Sequence, residues 1–127
     1  MIRWKGSLRR LKQNKIFSLL GLAAKGRNLV SGEFQTMEAI RSQSAYLILV
    51  ALDASDNTKK LFHDKSSYYE IPVYDYGTKD DLGRAIGKDL RSSLGVCEEG
   101  LANAIIKQLE IEQNAAGGRN GGKNGEN

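Results

Sequence analysis

Residues Tyr46 to Leu52 read Tyr-Leu-Ile-Leu-Val-Ala-Leu and make up nearly all of the longest apolar run in the chain. At seven residues it falls far short of the roughly 20 that a membrane-spanning helix needs. At that length, and with β-branched and aromatic members, it reads as a strand buried on both faces. Such a strand must sit inside a sheet that carries helices on each side.

The flanking segments supply those helices. Asn14 is placed to cap a first helix, with Ile16, Leu19, Leu20 and Ala23 at helical spacing and Gly26 at its end. A brief extended stretch, Asn28 to Val30, follows. Ser31 is then placed to cap a second helix, on which Phe34, Met37 and Ile40 share a face of roughly 120° and read as a core stripe. After the central strand, Ser55 or Asp56 caps a third helix striped by Leu61, Phe62, Lys65, Tyr68 and Tyr69. Pro72 leads into a short strand, Val73 to Tyr76. Asp80 to Ile86 reads as a short helix ended by Gly87, and Ser92 to Cys97 as the last strand. Leu101, Ala104, Ile105, Gln108 and Leu109 mark a closing helix. This alternation predicts a three-layer α/β/α sandwich with a small mixed central sheet.

A chain of 127 residues fits one such domain. The expected core is residues 14–112. Residues 113–127 hold five Gly, four Asn and no large apolar side chain, so a flexible tail is expected there. Residues 1–13 form a basic arm. Arg3, Lys5, Arg9, Arg10, Lys12 and Lys15 place six positive charges in the first fifteen residues, with Trp4 among them and no acidic side chain. The formal charge of +4 is unevenly spread. Residues 1–41 carry nine basic and two acidic side chains, whereas residues 42–127 carry ten and thirteen. Such asymmetry points one surface toward a polyanion. Basic side chains release counterions from phosphates, and an indole can stack on an unpaired base.

Catalytic chemistry is poorly supplied, and no enzyme is expected. His63 is the only histidine and reads as a surface residue; Cys97 is the only cysteine, which leaves neither an internal disulfide nor a thiolate zinc site. Asp53 and Asp56, at a strand end before a helix, read as capping groups rather than cation ligands. Gly83-Arg-Ala-Ile-Gly87-Lys88-Asp89 has three residues between its glycines and an aspartate after the lysine. A phosphate loop needs four, then a Ser or Thr. No cofactor is expected. Basic residues precede the apolar stretch Ile16 to Ala24, but Ser18 and Gly21 interrupt it, Lys25 and Arg27 follow, and there is no small-residue cleavage site. A cytoplasmic address, without a membrane partner, is expected.

Four stretches resemble the kink-turn RNA-binding family named for archaeal ribosomal protein L7Ae, which includes ribosomal protein L30e, and especially its bacterial YlxQ-type members. They are Leu19-Leu-Gly-Leu-Ala-Ala-Lys-Gly26, Leu29-Val-Ser-Gly32, Ala45 to Ala54, and Ile71-Pro-Val through Thr78-Lys-Asp-Asp-Leu-Gly-Arg-Ala-Ile-Gly87. In that last stretch Gly83 reads as permitting close approach to the sheet, and Gly87 as a left-handed helix exit.

The resemblance implies a site. Family members insert the start of the second helix, preceded by a glycine, into a sharply bent RNA, where a trio of Asn or Lys, Glu or Gln, and Lys reads the paired purines. Counted from Gly32, the trio falls on Phe34, Gln35 and Glu38, with Thr36 after the glutamine. Gln35 and Thr36 fit; Phe34 and Glu38 depart, since a phenylalanine donates no hydrogen bond and a glutamate repels phosphate. The Cys97-Glu-Glu-Gly100 loop is acidic where relatives place small apolar residues. Lys25, Arg27, Arg41 and Lys79 remain as cations near the implied site, together with Arg9, Arg10 and Lys12 of the arm. The expected function is an RNA-binding accessory protein of the ribosome or translation apparatus, reading structured RNA through backbone and shape. Translation-apparatus proteins are possible further partners. The alternative is a protein-interaction module of the same fold, with Phe34, Glu38, Glu98 and Glu99 on its partner surface.

Overall fold

The structure, a computed structural model, describes residues 15–117. The basic arm with Arg9, Arg10 and Lys12, the cap expected at Asn14, and the chain beyond Gly117 lie outside the described residues. Helix α1 occupies residues 15–25. It is followed by β1 (Leu29–Ser31), α2 (Glu33–Arg41), β2 (Leu47–Val50), α3 (Asp56–Tyr68), β3 (Val73–Asp75), α4 (Lys79–Ala85), β4 (Ser93–Val96) and α5 (Glu99–Gly117). The sheet runs in the order β1-β4-β2-β3, with β2–β3 parallel and the other pairs antiparallel.

The apolar run is the central strand. Leu47, Ile48, Leu49 and Val50 are wholly buried, as are Leu94 and Val96 on the neighbouring β4. The side chains at the ends of the run, Tyr46 and Leu52, are exposed, although their N–H groups still bond Val96 O and Gly77 O. Helix α2 packs on β1 and β4, α3 packs on β2 and β3 and against α2, and α4 and α5 pack on β4, in the expected α/β/α sandwich. Ile16, Leu20 and Ala23 of α1, Phe62 of α3, Leu82 of α4, and Ala102, Ile105 and Leu109 of α5 complete one core.

Two helices are rotated from their sequence expectation. On α2 the buried residues are Thr36, Met37, Ala39 and Ile40, so Phe34 lies about 140° from the centre of that face at 100° per residue. Phe34 is not part of the core stripe; it is 76% exposed. On α3 the inward residues are Phe62 and Ser66, while Leu61 and Tyr68 face outward. In both helices small polar residues take buried positions against the sheet, turning larger apolar neighbours toward solvent.

Helix starts follow local chemistry. Ser55 caps α3 by accepting the Thr58 N–H at 3.1 Å. Thr78 and Asp81 form a reciprocal capping box on α4. Asp53 does cap a helix, but it is α4, where its carboxylate accepts the Lys79 N–H at 2.8 Å. The Glu98 carboxylate caps α5, accepting the Gly100 and Leu101 N–H groups at 3.1 and 2.7 Å. Helix α5 continues to Gly117, past the expected end of the core. The Tyr74 hydroxyl donates to Glu110 at 3.3 Å, joining α5 to the edge strand β3. Burial, then the neighbouring Glu112, pushes the Tyr76 hydroxyl well above its ordinary range.

Helix ends share one device. Asn28 N–H reaches Ala23 O, Ser44 N–H reaches Ala39 O, Ile71 N–H reaches Ser66 O, and Lys88 N–H reaches Gly83 O, each closing a Schellman turn. The left-handed residue in these turns is Arg27 (φ 61°), Gln43 (φ 59°), Glu70 (φ 59°) and Gly87 (φ 74°). Only α4 uses the expected glycine; α1 ends at residue 25, with Arg27 rather than Gly26 in the left-handed position. Gly83 serves a different contact from the one expected. A Cβ there would overlap the Asp89 carbonyl oxygen, so Gly83 admits the returning 88–89 backbone rather than the sheet.

These geometries rank three substitutions in chemical denaturation. Gly83→Ala must force backbone apart and should cost about 2–3 kcal/mol or more. Gly87→Ala meets open space and should cost only about 1 kcal/mol for its positive φ. Arg27→Gly should stabilise the fold by up to about 1 kcal/mol. Equal losses at Gly83 and Gly87 would contradict the close approach.

Candidate nucleic-acid interface

Strand β1 ends at Ser31, and Gly32 (φ 88°, ψ 159°) turns the chain into α2. That conformation is essentially reserved for glycine. Ser31 therefore does not cap the helix. Gly32 occupies the cap position, and no side chain accepts from the first turn. The Gly32 N–H is held by Ser93 O of β4 at 3.0 Å. Of the four helix starts within the described residues, α2 alone lacks a side-chain cap.

An open groove of about 560 Å³ lies beside this start. Gly21, Ala24, Leu29, Ala85 and Ile86 supply its apolar lining, while Lys25, Ser31, Gln35 and Lys88 supply polar groups. Lys25 comes from the end of α1, Gln35 from the first turn of α2, and Lys88 from the Schellman turn after α4. Arg27 is exposed, two residues beyond Lys25. The structure thus brings Lys25 and Gln35 to one groove next to Gly32.

Other expected site residues fall elsewhere. Phe34 and Arg41 line a second hollow, between α2 and α3, with Glu33, Met37, Leu61 and Lys65. Arg41 Nη1 pairs with Glu38 at 3.2 Å, both side chains about half-exposed; the carboxylate that replaces the family lysine therefore has its own cation. Phe34, Gln35, Glu38 and Arg41 share the solvent face of α2, spread over about 120° at 100° per residue. Thr36 does not join them: its side chain is wholly buried, facing away from any ligand at that surface. Lys79 begins α4, its N–H held by Asp53 and its carbonyl accepting the Arg91 N–H at 3.1 Å. Glu98 is occupied by the α5 cap, so the acidic loop presents one of its two carboxylates less freely than its sequence suggests.

Two cations were not anticipated. Lys88 lines the groove. Arg91 Nε donates to Ser31 Oγ at 3.0 Å and Nη1 to Leu90 O at 2.9 Å, fixing a guanidinium beside the β1–α2 junction. The sequence signal was present, two basic residues in the short segment between a helix-ending glycine and a strand.

The other reactive side chains lie apart. His63 is partly exposed on α3 and bonds Asp75 of β3 at 2.8 Å. Burial pushes the Cys97 thiol up, which keeps it protonated at neutral pH. Among the described residues no group of three or more His, Cys, Asp or Glu side chains is placed to hold a metal ion. No helix among them is long and apolar enough to cross a membrane.

Known proteins resemble this chain in sequence and fold. The chain is 43% identical over 94 residues to the RNA-binding protein YlxQ of Bacillus subtilis (strain 168), covering 74% of this chain and 94% of that protein. It is 38% identical over 98 residues to the RNA-binding protein YlxQ of Enterococcus faecium, covering 77% and 94%. A solved structure of a protein with unknown function from Bacillus halodurans C superposes with a TM-score of 0.73 at 40% identity, over 76% of this chain and 97% of that one. The Giardia lamblia 15.5kD RNA binding protein superposes with a TM-score of 0.65 at 18% identity, over 79% and 86%, a likeness of fold. The model of the ribosomal protein L7Ae/L30e/S12e/Gadd45 family matches residues 14–106. With that match and two relatives at this identity, the chain belongs to the ribosomal protein L7Ae/L30e/S12e/Gadd45 family.

Proposed function

We propose that this protein binds structured RNA chiefly through backbone and shape, as an accessory protein of the ribosome or translation apparatus. The observation that carries the reading is the bare start of α2. Its first-turn N–H groups have no side-chain acceptor, and such groups favour a phosphate. Lys25, Lys88 and Arg91 flank that start from two different segments of the chain. Two relatives named as RNA-binding proteins support the same reading.

Reading of the purines in a kink-turn has less support. Phe34 offers no base-edge donor, and Glu38 is paired with Arg41. Phosphates held by point charges position an RNA without specifying its bases. Affinity for a standard kink-turn should therefore exceed that for an unrelated hairpin with a bulge only modestly.

Salt titration tests the proposal. With about four to six phosphate contacts, log K against log salt should slope about −3 to −5. Deleting residues 1–13 removes Arg3, Lys5, Arg9, Arg10 and Lys12, and should flatten the slope and weaken binding to many RNA sequences alike. Lys25→Glu and Lys88→Glu should each lower affinity further, whereas Lys107→Glu, on α5 and outside the groove, should change it little. Arg27→Gly should weaken binding even though it stabilises the fold. A shallow slope shared by the full and shortened proteins would remove the proposal's main support.

A further inference from the structure

Phe34 is a large aromatic side chain set on an otherwise polar helix face and 76% exposed. It stands at the edge of the hollow between α2 and α3, a space of about 510 Å³ with Met37 and Leu61 among its lining residues. Arg41 and Lys65 bring two cations to that lining and Glu33 a single carboxylate. Only one of the five guanidinium N–H donors of Arg41 is needed for the Glu38 contact. An apolar peptide would leave the Arg41 and Lys65 cations and the Glu33 carboxylate of this lining without partners. A planar base flanked by phosphates fits better: its π-face can lie on the phenyl ring while the two cations meet the backbone on either side.

The hollow and the groove flank the start of α2. Gln35 lines the groove and Phe34 lines the hollow, and consecutive Cα atoms are only about 3.8 Å apart. An RNA strand that crosses the start of α2 can therefore reach both.

We propose that Phe34 is a stacking platform for one unpaired base, received in the hollow between α2 and α3, of an RNA whose backbone lies in the adjacent groove. The inference rests on the RNA-binding reading above and narrows it: the preferred ligand has an unpaired nucleotide beside a duplex. Phe34 then sets specificity by selecting an extruded base, without regard to its identity, since every base has a π-face.

Two RNA hairpins with the same stem test this, one fully paired and one carrying a three-nucleotide bulge with 2-aminopurine at its centre. Fluorescence anisotropy gives affinities for the unmodified protein, Phe34→Ala and Phe34→Trp, and thermal melts check that the fold is intact, as expected for so exposed a position. The unmodified protein should prefer the bulged hairpin. Phe34→Ala should weaken binding to the bulged hairpin by roughly 5- to 150-fold, the loss of one base–aromatic stack, and leave the paired hairpin unchanged. Phe34→Trp should retain the preference. The 2-aminopurine emission should change on binding the unmodified protein but not Phe34→Ala. If both hairpins bind and Phe34→Ala alters neither affinity, the stacking role is wrong and the exposed ring belongs to a protein partner's surface. If the unmodified protein binds neither hairpin, the RNA-binding reading itself fails and this inference falls with it.

Discussion

Gly32 spends its N–H on Ser93 O of β4 at 3.0 Å and offers its carbonyl to the Thr36 N–H at the same distance. One residue thus ends the β1–β4 ladder and begins α2, in a backbone conformation closed to other residue types. The direction of α2, the exposure of its first N–H groups, and the position of Phe34, Gln35, Glu38 and Arg41 all depend on that junction. A Ser or Asp at this position would satisfy one donor of the helix start, but it would also put an acceptor oxygen where an anion would sit. Elsewhere the chain does cap its helices: Ser55, Thr78 with Asp53, and Glu98 close α3, α4 and α5. The bare start lies where Lys25, Lys88 and Arg91 gather.

The helix ends show the same balance between stability and surface chemistry. Three Schellman turns hold Arg27, Gln43 and Glu70 in the left-handed region, where glycine would be less strained. At Arg27 the strain holds a cation at the tip of the turn that follows α1, two residues beyond the groove-lining Lys25. Retained strain at a site points toward function when the surrounding structure over-determines it. Here two hydrogen bonds across the turn, Arg27 N–H to Ala24 O and Asn28 N–H to Ala23 O, do so.

Much of the fold was legible because its strongest signals are local. The apolar run at Leu47–Val50, the cap at Ser55 and the glycine exit at Gly87 each follow from a few neighbouring residues. The errors have a common cause. A stripe drawn through large apolar residues placed Phe34 and Leu61 inward, but small polar residues, Thr36 and Ser66, take buried positions on those helices. Helix phase is set by close packing on the sheet, and a small side chain lets the backbone approach more than a ring would. Gly83 was misread for a related reason, since the backbone it admits arrives from a turn that its own helix creates. At the site, Lys25, Gln35 and Gly32 were found through family-like wording. Lys88 and Arg91 needed the tertiary structure, because only the fold brings the segment after α4 against β1.

The central claim is that phosphates meet the bare start of α2 and the cations around it. Backbone amide chemical shifts, followed while a fully paired RNA hairpin is titrated into isotope-labelled protein, test this most directly. The largest changes should fall on Gly32, Glu33, Phe34 and Gln35, on Lys25 and Arg27, and on Lys88 to Arg91, with α5 nearly silent. Changes concentrated on α5 or on the outer face of α3, with the Gly32–Gln35 amides unmoved, would contradict the account.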